Sequence, residues 1–394
     1  MDRMATDARD ASVQRAYEIL CEWRGVITQK SPGTRVYEVD PSDIGCDALL
    51  VLSAIYQGPA HLLMPRLGID PKAATQAIET LILRGYLEFQ ENPDNPRRPN
   101  IALTEPGNSA VHGVEMAAIE RRWAEFPFRP GDIVISTTQK SGTTWMQMIC
   151  ALLIFQSPTL PGPLPALSPW LDDSRGRDEI YAALASQSHR RFIKTHMALN
   201  EIPIDPRVTY IVVARNLFDL AISWYHQISG ITAHLSARKN GGKRPIGSPR
   251  QWLVDRIDEM GTDTDKMYSF DTILKNLASA WELRGAPNVV LVHYEDLSAD
   301  LADEMRRLAG RLGINVPAQK WPSLVQAATF NEMRAAAEHL QPWKPDDSEG
   351  QTPFFRRGSS GEGRNLLTDD EIARYGASAA LVAPPDLLAW VHRW

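Results

Sequence analysis

The stretch that most narrows the fold is Gly131-Asp132-Ile133-Val134-Ile135-Ser136, followed at once by Thr137-Thr138-Gln139-Lys140-Ser141-Gly142-Thr143-Thr144-Trp145. The first part reads as a short buried strand. Beyond the loop, Trp145, Met148, Ile149, Leu152 and Leu153 recur at helical spacing. A strand, a tight turn and a helix in that order aim backbone N–H groups and the positive end of the helix at one point, which suits a phosphate or a sulfate. Lys140 adds a mobile charge, Gly142 lets the backbone approach closely, and Ser141, Thr143 and Thr144 add hydroxyl donors. The plainer alternative is a polar turn that merely caps a core helix. A nucleotide-hydrolase loop fits poorly. It needs a glycine four residues before Gly-Lys-Ser/Thr and a hydroxyl on magnesium, whereas here the lysine precedes Ser-Gly and position 139 is glutamine.

From Gly131 onward strands alternate with helical patterns, which predicts a mainly parallel sheet covered on both faces, with its site at the carboxyl ends of the strands. Arg191-Phe192-Ile193 leads into Lys194-Thr195-His196, Val208 to Ala214 leads into Arg215, and Asn288 to Val292 leads into His293-Tyr294-Glu295-Asp296. Each predicted strand thus ends in reactive or charged residues.

The N-terminal part has another order. Ala16, Ile19, Leu20 and Trp23 share a helical face, a helix is predicted over Ala48 to Tyr56, and a short one near Leu62 to Leu67. Asp70-Pro71 opens a further helix to about Arg84, which Gly85 ends. A strand over Glu88 to Gln90, a polar turn from Asn92 to Pro99, a strand over Ile101 to Thr104 and a helix after Gly107 to about Trp123 complete it. Phe126-Pro127-Phe128-Arg129-Pro130-Gly131 reads as a junction, dividing the chain into domains at 1–125 and 126–394.

Composition sets outer bounds. The chain has 394 residues, 43% hydrophobic and 23% charged, as in a soluble globular protein with room for more than one domain. Cys21, Cys46 and Cys150 have neither paired nor metal-ligand spacing, so they are expected to be small core residues in a reducing compartment, and no metal site is implied. The apolar run Ile149 to Phe155 is too short to span a bilayer and the first ten residues carry acidic charge, so a cytoplasmic protein without membrane contact is expected. Residues 1–125 hold 13 Lys+Arg against 18 Asp+Glu. That acidic balance opposes nonspecific nucleic-acid binding.

Lys140-Ser141-Gly142-Thr143-Thr144-Trp145 closely resembles the 5′-phosphosulfate loop of the cytosolic sulfotransferases, which use 3′-phosphoadenosine-5′-phosphosulfate (PAPS). Val212 to Ser223 resembles that family's 3′-phosphate segment, with Arg215 and Ser223 as its phosphate ligands. Lys194-Thr195-His196 resembles its catalytic strand end, and Tyr294-Glu295-Asp296 its adenosine-contacting Tyr-Glu-Asp. Thr329-Phe330-Asn331-Glu332-Met333 resembles the segment round the adenine, and Arg356-Arg357-Gly358 the Arg-Lys-Gly loop on the 3′-phosphate, Arg357 standing where the family has lysine. The match covers about two thirds of the chain. It departs at the family's dimer motif, where Asp369 replaces a valine and Ala373 a glutamate. The stretch from Leu81 to Gly107 resembles the winged helix of multiple-antibiotic-resistance-type (MarR-like) regulators.

The resemblance implies an α/β sulfotransferase fold preceded by a winged-helix α+β domain. It implies sulfuryl transfer from PAPS to a hydroxyl or amine of a small organic acceptor, without a metal. By the same resemblance His196 is the general base, Lys140 stabilises the leaving phosphate and Lys194 steadies the transferring group. Two alternatives are a nucleotide-dependent kinase and a transcriptional regulator with a nucleotide-sensing domain. In the N-terminal domain Lys72, Thr75, Gln76, Arg97 and Arg98 make a thin set of DNA contacts, so that domain is expected to serve homodimerisation or acceptor enclosure instead. Ile231 to Val254, with Arg238, Lys239, Lys243, Arg244 and Arg250 and no acid, is expected to be a mobile loop that could cover an acceptor.

Overall fold

In the computed structural model, which describes residues 20, 46–57, 60–90, 100–173, 177–238, 247–262, 269–340, 358 and 360–393, the chain divides into two units. One is Met1–Phe126 with Leu171–Ala182; the other is Pro127–Trp170 with Ala183–Trp394.

In the first unit, helices α1 (Cys46–Gln57), α2 (Ala60–Arg66) and α3 (Pro71–Leu83) precede an antiparallel pair, β1 (Leu87–Gln90) and β2 (Asn100–Leu103), and a long helix α4 (Glu105–Glu125). The start of α3 follows from Asp70, whose Oδ1 accepts the N–H groups of Lys72 at 2.8 Å and Ala73 at 3.1 Å, satisfying donors that a helix start leaves open. Gly85, at φ 76°, ends that turn. Helix α4 begins at Glu105, earlier than the expected start after Gly107. The reason is Thr104, whose Oγ1 caps the Gly107 N–H at 3.2 Å. Gly107 therefore lies inside the helix, where a Cβ would come within 2.1 Å of the Tyr86 carbonyl oxygen. Leu50, Leu52, Leu63, Leu81 and Val111 fill the core of this unit, and the Trp123 indole N–H donates to Asp172 at 2.8 Å. Apart from Leu20, which is helical and buried, the predicted first helix lies outside the described residues, as does the turn from Asn92 to Pro99.

The second unit is built on a four-stranded parallel sheet of β3 (Ile133–Thr137), β4 (Phe192–Thr195), β5 (Thr209–Ala214) and β6 (Val289–His293), in the order β4-β3-β5-β6. Strand β3 is buried along its whole length, which explains its continuous apolar run. Helix α5 (Thr143–Phe155) follows it and contributes Met146, Ile149 and Leu152 to a core shared with Ile135, Phe192, Ile211, Val213 and Val290. Each such buried side chain contributes about 1.5–3 kcal/mol. Pairing of Ser136 with Thr195, Thr137 with Val213 and Ala214 with His293 brings the four carboxyl ends to one edge.

Helix α6 (Leu217–Arg238) and helix α7 (Pro249–Asp258) correct the expected loop over Ile231 to Val254. Helix α6 runs on past Gly230, a single interior glycine costing only about 1 kcal/mol. Ser248 caps α7 through the Gln251 N–H at 3.1 Å, with Pro249 at its first turn. Residues 239–246 lie outside the described residues. No helix among the described residues is long and apolar enough to cross a membrane.

Candidate active site

The site grows from the loop after β3. Its backbone turns through two left-handed residues, Lys140 at φ 69° and Gly142 at φ 106°. Ser141 closes the turn, its hydroxyl donating to the Thr138 carbonyl at 2.6 Å, and so serves the loop's own shape. Thr143 and Thr137 share a hydrogen bond of 2.6 Å between their hydroxyls, tying the helix start to the strand end. Gly142 stands at the amino end of α5 with no side-chain cap, so the first N–H groups of α5, near half-buried Thr144, are aimed outward with the positive end of the helix.

A second element closes on this loop from β5. Arg215, directly after Ala214, donates through Nη1 to the Lys140 carbonyl at 3.2 Å and lies 4.3 Å from the centroid of the Tyr294 ring. Tyr294 begins helix α8 (Tyr294–Ala299) after β6 and meets Trp145 edge to face at 5.2 Å. A Cβ on Gly142 would come within 3.1 Å of the Tyr294 ring, so glycine is what lets ring and loop approach. Trp145 in turn donates its indole N–H to the Ala328 carbonyl at 2.8 Å, beside Thr329. Thr329 caps helix α9 (Phe330–Ala335), in which Met333 is buried. The ring of Phe330 lies against Gly358, at φ 64°, where a Cβ would be 2.6 Å away. Ser223 is half-buried two turns into α6. Arg356 and Arg357 lie outside the described residues.

Electrostatics mark the same place. Burial, with Arg215 as a like charge beside it, lowers the Lys140 ammonium from 10.5 to about 8. His196, at the carboxyl end of β4, faces the Thr137 carbonyl with Nδ1 at 2.8 Å. A carbonyl only accepts, so Nδ1 carries the proton and Nε2 the lone pair. Burial first, then the nearby Lys194 ammonium, pull the ring down to about 3, and the bond to Thr137 opposes them. The imidazole is neutral near pH 7. Such an arrangement can hold an anion between Lys140, Arg215 and the start of α5, with a neutral base beside it.

Two residues that the sequence does not single out pack into the same region. Trp170 forms an isolated parallel bridge with Lys194, lies 4.3 Å from the Lys194 ammonium measured to the ring centroid, and meets His196 edge to face at 5.3 Å. Asp219, buried in the first turn of α6, accepts the N–H groups of Gly361 at 2.7 Å and Gly363 at 2.9 Å. Both act on partners distant in sequence. A polar cap or a Pro-Trp pair carries no local signal of that kind.

A family model described as the sulfotransferase domain matches residues 130–377. The chain belongs to the sulfotransferase family. A glycolipid sulfotransferase of Mycobacterium bovis is 37% identical over 301 residues, covering 69% of this chain and 90% of the relative. Rat sulfotransferase 1A1 is 27% identical over 261 residues, covering 64% of this chain and 84% of the relative. In fold, the sulfotransferase domain is similar to mouse sulfotransferase SULT7A1 complexed with PAP, with a TM-score of 0.50 at 21% identity over 70% of this chain and 93% of that one. The chain is thus a sulfotransferase by family. Among the described residues no group of three or more His, Cys, Asp or Glu is placed to hold a metal ion.

Proposed function

We propose that this sulfotransferase moves the sulfuryl group of PAPS to a hydroxyl, or an amine, of a small organic acceptor, and that a sugar hydroxyl of a glycolipid is the acceptor class to test first. The observation that carries the reading is that one loop meets both halves of the chemistry: its Lys140 carbonyl is held by Arg215, and its first carbonyl, that of Thr137, orients His196. The donor chemistry of the loop supports PAPS as ligand, because the uncapped start of α5, Lys140 and Arg215 suit phosphate and sulfate oxygens, and Gly142 leaves room that a Cβ would fill. The glycolipid class rests on the mycobacterial relative's name and on 90% coverage of its length.

When bound, PAPS supplies the sulfuryl group and departs as the bisphosphate. Lys140 and the N–H groups at the start of α5 neutralise charge on the departing phosphate. Lys194 steadies the transferring group, and Nε2 of His196 takes the acceptor's proton. Arg215 and Ser223 hold the 3′-phosphate with Arg356, Arg357 and Gly358, while Trp145, Tyr294, Thr329, Phe330 and Met333 enclose the adenosine. Transfer of radiolabelled sulfate from PAPS to octyl β-glucoside, with an alkyl amine and a phenol in parallel, tests the reading. No labelled product with any of them would remove it.

We further read the N-terminal unit as a winged helix that pairs two chains in the cytoplasm. Its helix, helix, helix, hairpin order supports the first part, and exposure of Leu83 at 87% and Phe89 at 62% supports the second. Its acidic balance speaks against DNA as its partner.

A further inference from the structure

Lys194 lies in the last pleat of β4 and His196 directly follows its last residue, and both side chains meet the ring of Trp170. A lysine there weakens the base beside it: an ammonium within a few ångströms disfavours the imidazolium that proton transfer would form. Something must govern where that ammonium sits. Among the described residues, the Trp170 side chain touches both. Its ring centroid is 4.3 Å from the Lys194 ammonium and 5.3 Å from the His196 ring, the latter edge-on at 73°. The indole face carries negative quadrupole charge and attracts the ammonium.

The position of Trp170 is itself fixed on two sides. Its backbone bridges in parallel to Lys194, extending the sheet edge beyond β4. Two residues earlier, buried Ser168 receives the Gln147 side-chain amide of α5 on its carbonyl at 3.3 Å and on its hydroxyl at 2.8 Å. The helix that follows the anion-binding loop therefore also holds the segment that presents the indole. An aromatic face tied on both sides beside a lysine ammonium offers that charge a defined resting place.

We infer that Trp170 is a positioning residue that holds the Lys194 ammonium on its indole face, at a fixed place beside His196, until an anion draws Lys194 to the transferring group. This deepens the proposed roles of Lys194 and His196 and rests on them. The half-buried indole leaves the ammonium a path to the site, and the attraction is weak enough for a sulfuryl group to compete with it.

The test is a double-mutant cycle with a spectroscopic arm. Trp170→Leu should lower kcat for transfer to octyl β-glucoside about tenfold and leave PAP affinity within about twofold, while Trp170→Phe, which keeps a weaker platform, should recover most of the rate. In a Lys194→Met background the same Trp170→Leu change should alter kcat less than about twofold. Equal losses in both backgrounds would show that Trp170 does not act through Lys194 and would overturn the inference. Normal turnover of Lys194→Met alone would instead sink the catalytic role of Lys194. For that case the geometry is read without turnover, by NMR of full-length protein carrying 13C-labelled lysine. The Lys194 methylene beside the ammonium should be shifted upfield by the indole ring current, and lose that shift in Trp170→Leu. An unshifted resonance in the wild-type protein would overturn the inference whatever the kinetics.

Discussion

The two ends of the same parallel sheet handle buried charge in opposite ways. At the amino end, Asp132 and Arg191 are each 2% exposed and form an ion pair, with Arg191 Nε donating at 2.9 Å. Nearby guanidiniums are committed to main-chain carbonyls, Arg129 to Ala185 and Gln187, Arg190 to Gly131 and Leu312. At the carboxyl end, a cation lies beside a second cation, Lys140 with Arg215, or beside a neutral imidazole, Lys194 with His196. Arg215 pushes the Lys140 ammonium down, and Lys194 does the same to His196. Burying a charge is costly unless a partner offsets it. The first end carries its own compensation and serves stability. The second gathers Lys140, Arg215 and Lys194 round the loop after β3 and displaces the pKa values of Lys140 and His196, as expected where titration serves function.

The largest effect should come from breaking the second end. His196→Ala is expected to lower kcat for sulfuryl transfer by roughly 10² to 10⁴ while PAP affinity, measured by calorimetry, stays close to wild type. The depressed histidine also fixes a pH profile. A base with a pKa of about 3 is already unprotonated at pH 5, so kcat/KM should be flat from pH 5 to 7 and fall only under more acid conditions. An acid limb centred near 6.5 would assign the site an ordinary imidazole.

Breaking the first end should do the reverse. Asp132→Ala leaves the Arg191 charge buried without its carboxylate and should destabilise the folded protein by about 3 to 5 kcal/mol, read by urea denaturation. Turnover per folded molecule should hold within about twofold. A variant of full stability with lost turnover would mean that the two ends are not divided in this way.

Legibility follows the same division. The loop after β3 could be read from sequence because its signals are local: an apolar run, a lysine, a glycine and a helical repeat within one short stretch. The caps at Asp70 and Thr104 are equally local, and the Thr104 cap sets the start of α4 ahead of Gly107. Trp170 and Asp219 were not legible, since their partners, Lys194 and the Gly361 and Gly363 N–H groups, come from distant segments that only the fold assembles. The stretch from Ile231 to Val254 misled for another reason. Its basic and glycine-rich composition suggested a loop, and the Ser248-Pro249 start signal was present but overlooked.

The smallest effect is the most selective, and it concerns Lys140. Its folded pKa, about 8, lies below its ordinary 10.5. Between those values the unfolded chain binds more protons than the folded one, so the stability of the ligand-free protein should rise with pH across that window. Anion binding runs in the opposite direction. A phosphate against Lys140 favours the ammonium and raises its pKa, so PAP should bind with proton uptake and lose affinity as pH rises through 8. Near pH 8 about half of the Lys140 side chains have lost their proton, and binding should take up about half a proton, falling toward none at pH 6.5. Calorimetry in buffers of different ionisation enthalpy reads this directly. Protons exchanged by PAP itself are removed by subtracting Lys140→Arg, which keeps the charge but does not titrate in this range. Equal proton uptake by wild type and Lys140→Arg at pH 8 would take Lys140 out of contact with the anion, and the carboxyl end of the sheet would then lack the charge that most distinguishes it from the amino end.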